Sequence, residues 1–265
     1  MYNRIQVAYK FLNYYFTASN GKGHGTHSPF VFHFITSVLN DKTKYEEYEK
    51  VEKLRRTLIS DKSLLTIEDF GAGSAVSKTN QRTVASIAKN AAKSKKFGQL
   101  LFRMVQRYQP ETILELGTSL GITTSYLSLA KPDARLVTLE GAGEVAAVAS
   151  KNFTSLGLQQ VSVLKGNFDD TLVNMLNQLH AVDFVFIDGN HRQVPTEKYF
   201  AQILPFLRNN SILVFDDIHW SREMEAVWET IKKHPAVRCS IDLFFIGIVI
   251  FRTEFKEKQE FSIRF

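Results

Sequence analysis

The sequence has little of several features that would assign it to a specialised class of protein. Its 265 residues include one cysteine, Cys239, so no disulfide can form within the chain and a reducing compartment is expected. No run approaches the roughly 18 apolar residues of a membrane-spanning helix. The opening segment has no apolar centre of the kind found in signal peptides. We therefore expect a globular, cytoplasmic protein.

Acidic residues are scarce in the first part of the chain. Residues 1–110 carry 18 Lys and Arg against 8 Asp and Glu, whereas the remainder carries 15 against 19. A basic segment of this kind can bind an anionic partner, nucleic acid included, or form an ordinary solvated helical surface. Both interpretations stay open, and so does a homodimer.

The basic part is predicted to be helical with interruptions. Ile5, Tyr9, Leu12 and Phe16 lie at helical spacing, which predicts a packing face. The loop GKGHGTHSPF then breaks the pattern, and a second glycine-rich stretch over residues 67–82 predicts a structured loop. We predict a mainly helical N-terminal extension over residues 1–93 and a larger domain over residues 94–265.

The larger domain is organised around residues 113–140. An apolar strand ends at Leu116, Gly117 and Gly121 bracket a polar turn, and a helix and a second strand follow, ending at Glu140. A carboxylate roughly 20 residues beyond a glycine turn can accept hydrogen bonds from both hydroxyls of a ribose. This pattern predicts a nucleoside-binding β-α-β unit.

The turn differs from a dinucleotide fingerprint, because it reads GTSLG and lacks the three glycines of GxGxxG. Glu115, just before it, would repel a phosphate but suit an amino or sulfonium group. The stretch ELGTSLGITTSYLSLA resembles the first motif of class I S-adenosylmethionine (SAM) methyltransferases. That resemblance implies an α/β fold with a Rossmann-like seven-stranded sheet and an antiparallel C-terminal hairpin. It places Asn167 and Phe168 at the adenine. The implied cofactor-binding residues are Glu115, Gly117, Thr118, Ser119, Gly121, Glu140, Asn167, Phe168 and Asp188.

Carboxylates follow two later strands of this domain. Asp188 ends the strand VDFVFI, and Asp216 and Asp217 end SILVF. The fold would place these strands side by side, and several carboxylates buried together need a compensating cation or protons. A divalent, oxygen-liganded ion such as Mg²⁺ is one solution. The pattern resembles metal-dependent O-methyltransferases, especially the macrocin type, and implies Asp188, Asp216 and Asp217 as metal ligands. The catechol type has Asp-Asn in the last pair, so the chain departs from it there.

Two histidines flank the predicted metal site. His219 is the favoured catalytic base, with His191 as the alternative and Asp188 as a further catalytic residue. The resulting prediction is SAM-dependent O-methylation of a small or medium-sized acceptor. The alternatives are an RNA or other nucleic-acid methyltransferase, or a scaffold protein of the same fold without catalysis.

Overall fold

The computed structural model describes residues 1–67 and 81–265. The loop predicted over residues 67–82 therefore lies almost wholly outside the described residues. None of the described helices combines the length and the apolar character needed to cross a lipid bilayer.

Helices and strands alternate along most of the described chain. The helices are α1 (Arg4–Thr17), α2 (Pro29–Phe34), α3 (Glu46–Ser60), α4 (Val84–Asn90), α5 (Lys95–Tyr108), α6 (Ile122–Ala130), α7 (Gly143–Leu156), α8 (Phe168–Leu179), α9 (Gln193–Ile203) and α10 (Arg222–Lys233). The strands are β1 (Leu64–Thr66), β2 (Gln81–Thr83), β3 (Thr112–Leu116), β4 (Arg135–Glu140), β5 (Val161–Lys165), β6 (Val182–Ile187), β7 (Leu207–Asp216), β8 (Cys239–Asp242), β9 (Ile246–Ile250) and β10 (Gln259–Ser262). One turn of π-helix follows α2, and one turn of 3₁₀-helix follows α9.

The chain forms two compact units. The central unit comprises Lys42–Leu179, and the terminal unit combines Met1–Asp41 with His180–Phe265. The predicted division into residues 1–93 and residues 94–265 differs from these two units, and it stays a prediction.

The central unit contains three parallel strands in the order β3-β4-β5. Leu114 pairs with Val137, and Leu139 pairs with Leu164. Nearly all residues of β3 and β4 are buried, as expected of a parallel strand covered on both faces by helices. This arrangement brings the carboxyl ends of β3 and β4 to the same edge, where the glycine turn begins.

The terminal unit contains five strands in the order β10-β8-β9-β7-β6. β6 and β7 are parallel, whereas β9 runs antiparallel to both β7 and β8. The predicted α/β fold with an antiparallel C-terminal pair is confirmed. The seven strands expected by resemblance correspond to β3 through β9, and β10 adds an eighth beside β8.

Gly247 does not form the turn of the C-terminal hairpin. It lies inside β9, where a Cβ atom would approach a ring carbon of Trp228 to 2.6 Å. The hairpin turns instead over residues 243–245. Gly247 is therefore required for close packing against a buried tryptophan, and not for turn formation.

The predicted packing face of α1 is wrong. Ile5, Tyr9, Leu12 and Phe16 are 81%, 74%, 54% and 79% exposed. The opposite side of the helix packs instead, with Tyr14 and Ala18 buried in a cluster around Phe244 and with Val7 and Phe11 against it. Because α1 is apolar on two sides, helical spacing alone could not tell which side faces the core.

Candidate cofactor and metal sites

The glycine turn between β3 and α6 depends on backbone conformations that favour glycine. Gly117 has a φ of 105° and Gly121 one of 80°, and Ser119 between them also has a positive φ, 48°. A Cβ atom on Gly121 would lie 2.5 Å from a ring carbon of Phe153. A glycine at position 121 therefore permits both the left-handed backbone conformation and the close approach of α7 to the turn.

Glu140 is fixed across this turn by backbone donors. Its Oε2 accepts a hydrogen bond from the Ser119 amide at 2.8 Å, and its Oε1 accepts one from the Ala142 amide at 2.9 Å. The carboxylate thus has a set orientation at the partly exposed end of β4. Carboxylate oxygens have further acceptor capacity, so this arrangement suits recognition of a vicinal diol.

Glu115 is fully buried beneath the turn. Its Oε2 accepts hydrogen bonds from the hydroxyls of Thr124 at 2.5 Å and Thr138 at 2.6 Å. The Thr138 hydroxyl is also 2.6 Å from that of Thr118. Glu115 therefore joins β3, β4 and α6 from inside, and its direct contact with a cofactor stays a prediction.

The roles of Thr124 and Thr138 were not identified from the sequence. Thr138 is a buried polar residue between the apolar residues Val137 and Leu139 of β4, and Thr124 lies in the first turn of a helix. A buried polar residue among apolar ones usually has a hydrogen-bonding partner, and that was the available signal.

The predicted adenine-binding residues lie where β5 leads into α8. The Asn167 side chain accepts a hydrogen bond from the Asp169 amide at 3.1 Å, and its carbonyl accepts the amides of Asp170 and Thr171. Phe168 is the first residue of α8 and is partly exposed. Asn167 therefore caps the helix, and adenine binding by this pair stays a prediction.

Asp188, His191 and Asp216 come together in the terminal unit. Each offers one ligand atom, and these three atoms lie within 4.8 Å of one another. Asp216 is 1% exposed, and Asp188 and His191 are partly buried. His191 Nε2 lies 3.5 Å from Asp188 Oδ1. Two carboxylates and an imidazole at this spacing suit a divalent cation.

Asp217 does not belong to this group. It has a positive φ of 53°, and its amide donates a hydrogen bond to the Phe245 carbonyl at 2.7 Å. Its own carbonyl accepts from the Trp220 amide at 2.9 Å. The Trp220 ring lies 5.5 Å from the His191 ring, measured between centroids. The structure thus combines two of the three predicted metal ligands with His191, and ligation by Asp217 stays a prediction.

His219 lies between two carboxylates. Its Nδ1 is 3.1 Å from Glu225 Oε1 and its Nε2 is 2.8 Å from Asp242 Oδ2. Burial is the largest single influence and lowers the pKa of His219, but Asp242 and then Glu225 together raise the pKa above its ordinary value. Because both ring nitrogens face acceptors, the protonated imidazolium is favoured, and this form has no lone pair with which to accept a proton.

Glu225 extends this network to the N-terminal segment. It accepts hydrogen bonds from the Tyr2 hydroxyl at 2.6 Å and from Lys10 Nζ at 2.9 Å. Burial raises the pKa of Glu225, but the bonds from Tyr2, Lys10 and His219 lower it overall. Glu225, Tyr2 and Lys10 therefore fasten α1 and the segment before it to α10.

Comparison with known proteins identifies the domain that carries the glycine turn. Residues 114–218 match the family model of a methyltransferase domain. The predicted resemblance to class I SAM-dependent methyltransferases is confirmed. The matched segment begins inside β3 and ends just beyond Asp216 and Asp217, so it includes both strand ends that carry the aspartates.

Curated proteins that are similar to this chain include O-methyltransferases. A catechol O-methyltransferase from Niastella koreensis is 35% identical over 124 residues, which is 46% of this chain and 55% of that protein. A transmembrane O-methyltransferase homolog from Rattus norvegicus is 31% identical over 121 residues, or 44% of this chain and 45% of that protein. The chain thus spans about half the length of the curated relatives it matches.

A solved methyltransferase structure shares the fold over most of its length. The SAH-bound methyltransferase from Podospora anserina has a TM-score of 0.60 and 15% identity, and the match covers 85% of this chain and 97% of that one. The likeness thus includes parts of the fold outside residues 114–218.

Proposed function

We propose that the protein transfers the methyl group of SAM to a hydroxyl oxygen of a small or medium-sized acceptor, with a divalent cation as an aid. The observation that carries this proposal is the fixed carboxylate of Glu140, which follows a glycine turn in a domain related to O-methyltransferases. The nucleic-acid acceptor, the homodimer and the cytoplasmic location stay predictions.

SAM binding is assigned to the glycine turn of the central unit. Gly117 and Gly121 allow a ligand to approach the backbone, and Glu140 is oriented to accept hydrogen bonds from a ribose. The hydrogen bonds of Glu115 with Thr124 and Thr138 connect β3 to α6 and to β4 beneath the turn. When bound, SAM would supply an electrophilic methyl group and leave as S-adenosylhomocysteine, and holding the acceptor oxygen in line with that methyl group would contribute part of the rate.

The divalent cation is assigned to Asp188 and Asp216 in the terminal unit. The burial of Asp216 beside a second carboxylate supports this assignment, because a cation compensates like charges that lie close together. A bound cation would lower the pKa of an acceptor hydroxyl and fix its orientation. The related catechol O-methyltransferases lend support to an acceptor of the hydroxyl type.

Removal of the acceptor proton is assigned to His191. Its imidazole lies beside Asp188, which can orient the ring, and beside the Trp220 ring. His219 is less suited to this task, because both of its ring nitrogens already face carboxylates. The proposal therefore replaces His219, the base favoured from the sequence, with His191.

The test is methyl transfer from radiolabelled SAM to a panel of small catechols, other phenols and sugar hydroxyls, with added Mg²⁺, with added Mn²⁺ and with EDTA. Calorimetric titration with SAM is done in parallel. We expect SAM binding under all three conditions and transfer to at least one hydroxyl acceptor, which EDTA reduces.

Three other outcomes contradict the proposal in different ways. Transfer unchanged by EDTA would remove the cation from the mechanism but keep the methyltransferase. Transfer to RNA and to no small molecule would favour the nucleic-acid alternative. Absence of SAM binding would leave a protein with the fold alone.

A further inference from the structure

Helix α1 has two apolar faces, and within the terminal unit one of them is covered. Val7, Phe11, Tyr14 and Ala18 form the covered face, which packs on Phe244. Phe11 meets the Phe244 ring edge-on with the centroids 5.1 Å apart. Ile5, Tyr9, Leu12 and Phe16 form the opposite face, which we call the outer stripe, and each is more than half exposed. A helix that is apolar on two sides normally has a partner on both.

The outer stripe has the spacing of a helix–helix seam. Its residues are separated by four, three and four positions, which is the alternation of the a and d positions of a heptad repeat. A helix resting on a flat surface needs a wider apolar face than this. The spacing thus indicates another helix as the partner.

The outer stripe is also complementary to itself in the antiparallel direction. With a two-fold axis passing between Lys10 and Phe11, Ile5 of one copy faces Phe16 of the other, and Tyr9 faces Leu12. Every layer then pairs an aromatic ring with an aliphatic side chain. An interface that uses the same patch on both copies closes as a dimer.

The exposed apolar area is of the size that a dimer requires. The outer stripe together with Met1 and Tyr15, which are 58% and 48% exposed, presents roughly 800 Å² per copy. That value is close to the area each partner buries in a stable interface of standard size, and it exceeds the largest apolar patch of a typical monomer.

The charges around the stripe favour a second copy over an anionic membrane. The residues of α1 beside the stripe, Gln6, Ala8, Asn13 and Tyr15, are uncharged, so the two helices themselves bring no like charges together. A helix that binds anionic lipid carries Lys and Arg along its polar face. Of the two cationic residues in α1, Lys10 is bound to Glu225. We propose that the protein forms a homodimer through antiparallel pairing of α1 with α1 of a second copy.

The test compares Leu12→Glu and Phe16→Glu with the control Arg4→Glu by sedimentation velocity over a range of concentrations. Arg4 is exposed and lies on the side of α1 between the two apolar faces. We expect wild type and Arg4→Glu to sediment as dimers. A carboxylate in the seam should weaken association by roughly 100-fold or more, so both stripe variants should be monomers. Circular dichroism and SAM binding check that each variant is folded.

The register is tested with single cysteines at Ile5 and Phe16, because the only native cysteine, Cys239, is buried. In the antiparallel pair, a mixture of Ile5→Cys and Phe16→Cys proteins should cross-link under oxidation, and neither protein should cross-link alone. Cross-linking of each variant to itself would overturn the antiparallel arrangement. A monomeric wild type, or a folded stripe variant that remains dimeric, would overturn the proposal. If the monomer instead floats with vesicles of anionic phospholipid, the outer stripe is a membrane-binding surface.

Discussion

Glu115 and Glu140, in the central unit, bind hydroxyl and amide donors of the chain itself, whereas Asp188 and Asp216, in the terminal unit, lie close to each other and to His191. The donors described for the first pair are hydroxyl and amide groups, which orient the two carboxylates. The second pair concentrates negative charge at one place. Carboxylates of the first kind suit the recognition of neutral hydroxyls, and those of the second kind suit a cation.

The largest expected effect on activity comes from removing one charge from the group formed by Asp188, Asp216 and His191. Asp216→Asn keeps the size of the side chain but removes one of the two negative charges that would hold a cation. We expect kcat/KM for methyl transfer to fall by at least about 100-fold, or roughly 3 kcal/mol in transition-state stabilisation. SAM affinity measured by calorimetry should stay within about threefold of wild type.

Asp183→Asn is the matched control for Asp216→Asn. Asp183 lies at the beginning of β6 and pairs with Arg208 at 3.0 Å. Its replacement should leave transfer within about twofold of wild type, because partly exposed ion pairs contribute little. Equal losses of methyl transfer in the two variants would mean that the charge of Asp216 has no special role in the reaction.

The second-largest effect is expected at Glu140, one of the two carboxylates of the central unit that accept hydrogen bonds from hydroxyl and amide groups. Glu140→Gln preserves an oxygen acceptor but loses the charge that strengthens hydrogen bonds to ribose hydroxyls. We expect SAM to bind about 10- to 100-fold more weakly. Asp133→Asn, at an exposed carboxylate bound to Lys131, should bind SAM as wild type does. A Glu140→Gln protein with unchanged SAM affinity would show that Glu140 only braces the turn.

The third effect separates backbone strain from packing at the glycine turn. Gly121 and Gly157 have similar positive φ values, 80° and 71°, but a Cβ atom on Gly157 would meet nothing within 4 Å. Gly121→Ala should therefore destabilise the protein by about 1–3 kcal/mol more than Gly157→Ala, since only Gly121 faces the Phe153 ring. Urea unfolding measures both values, and similar losses would remove the packing role of Gly121.

The smallest expected effect is on thermal stability and concerns His219. Its partners Asp242 and Glu225 belong to neither of the two carboxylate pairs compared above. Its pKa is raised above 6.5 in the folded protein, chiefly by Asp242 once burial has been offset. Its contribution to stability is therefore fully present below pH 6.5, the unfolded value, and is lost as pH rises through the folded pKa. Relative to His219→Asn, wild type should lose roughly 2–4 °C of its Tm advantage between pH 6 and pH 9. A constant difference across that range would mean that the pKa of His219 is the same in the folded and the unfolded protein.

More of the secondary structure and of the candidate site residues could be predicted from the sequence in the central unit than in the terminal unit. A buried parallel strand, a glycine turn and a carboxylate follow one another within 28 residues, so local patterns were enough to identify β3, α6, β4 and Glu140. Asp188 and Asp216 were identified because strand ends meet at one edge of a sheet. The sequence did not show that His191, and not Asp217, lies beside Asp188 and Asp216. Asp217 has a positive φ, which apolar patterning does not reveal.

The roles of His219 and of α1 were out of reach for a related reason. His219 contacts Asp242, 23 positions later, and Glu225 contacts Tyr2 and Lys10, more than 200 positions earlier. Contacts at such separations leave no periodic signal in a single sequence. The apolar residues of α1 were recognised as such, but only the position of Phe244 decides which of its faces is covered.

The composition of the terminal unit from both ends of the chain has a consequence for synthesis on the ribosome. Helix α1 is made before Phe244, on which its covered face packs, by about 230 residues. At the usual elongation rates of roughly 5–20 residues per second, both apolar faces of α1 stay exposed for about 10–50 seconds. The central unit can fold during that interval, because all of its strands have already emerged. Until Phe244 has been made, helix α1 therefore presents apolar surface of the kind that chaperones protect.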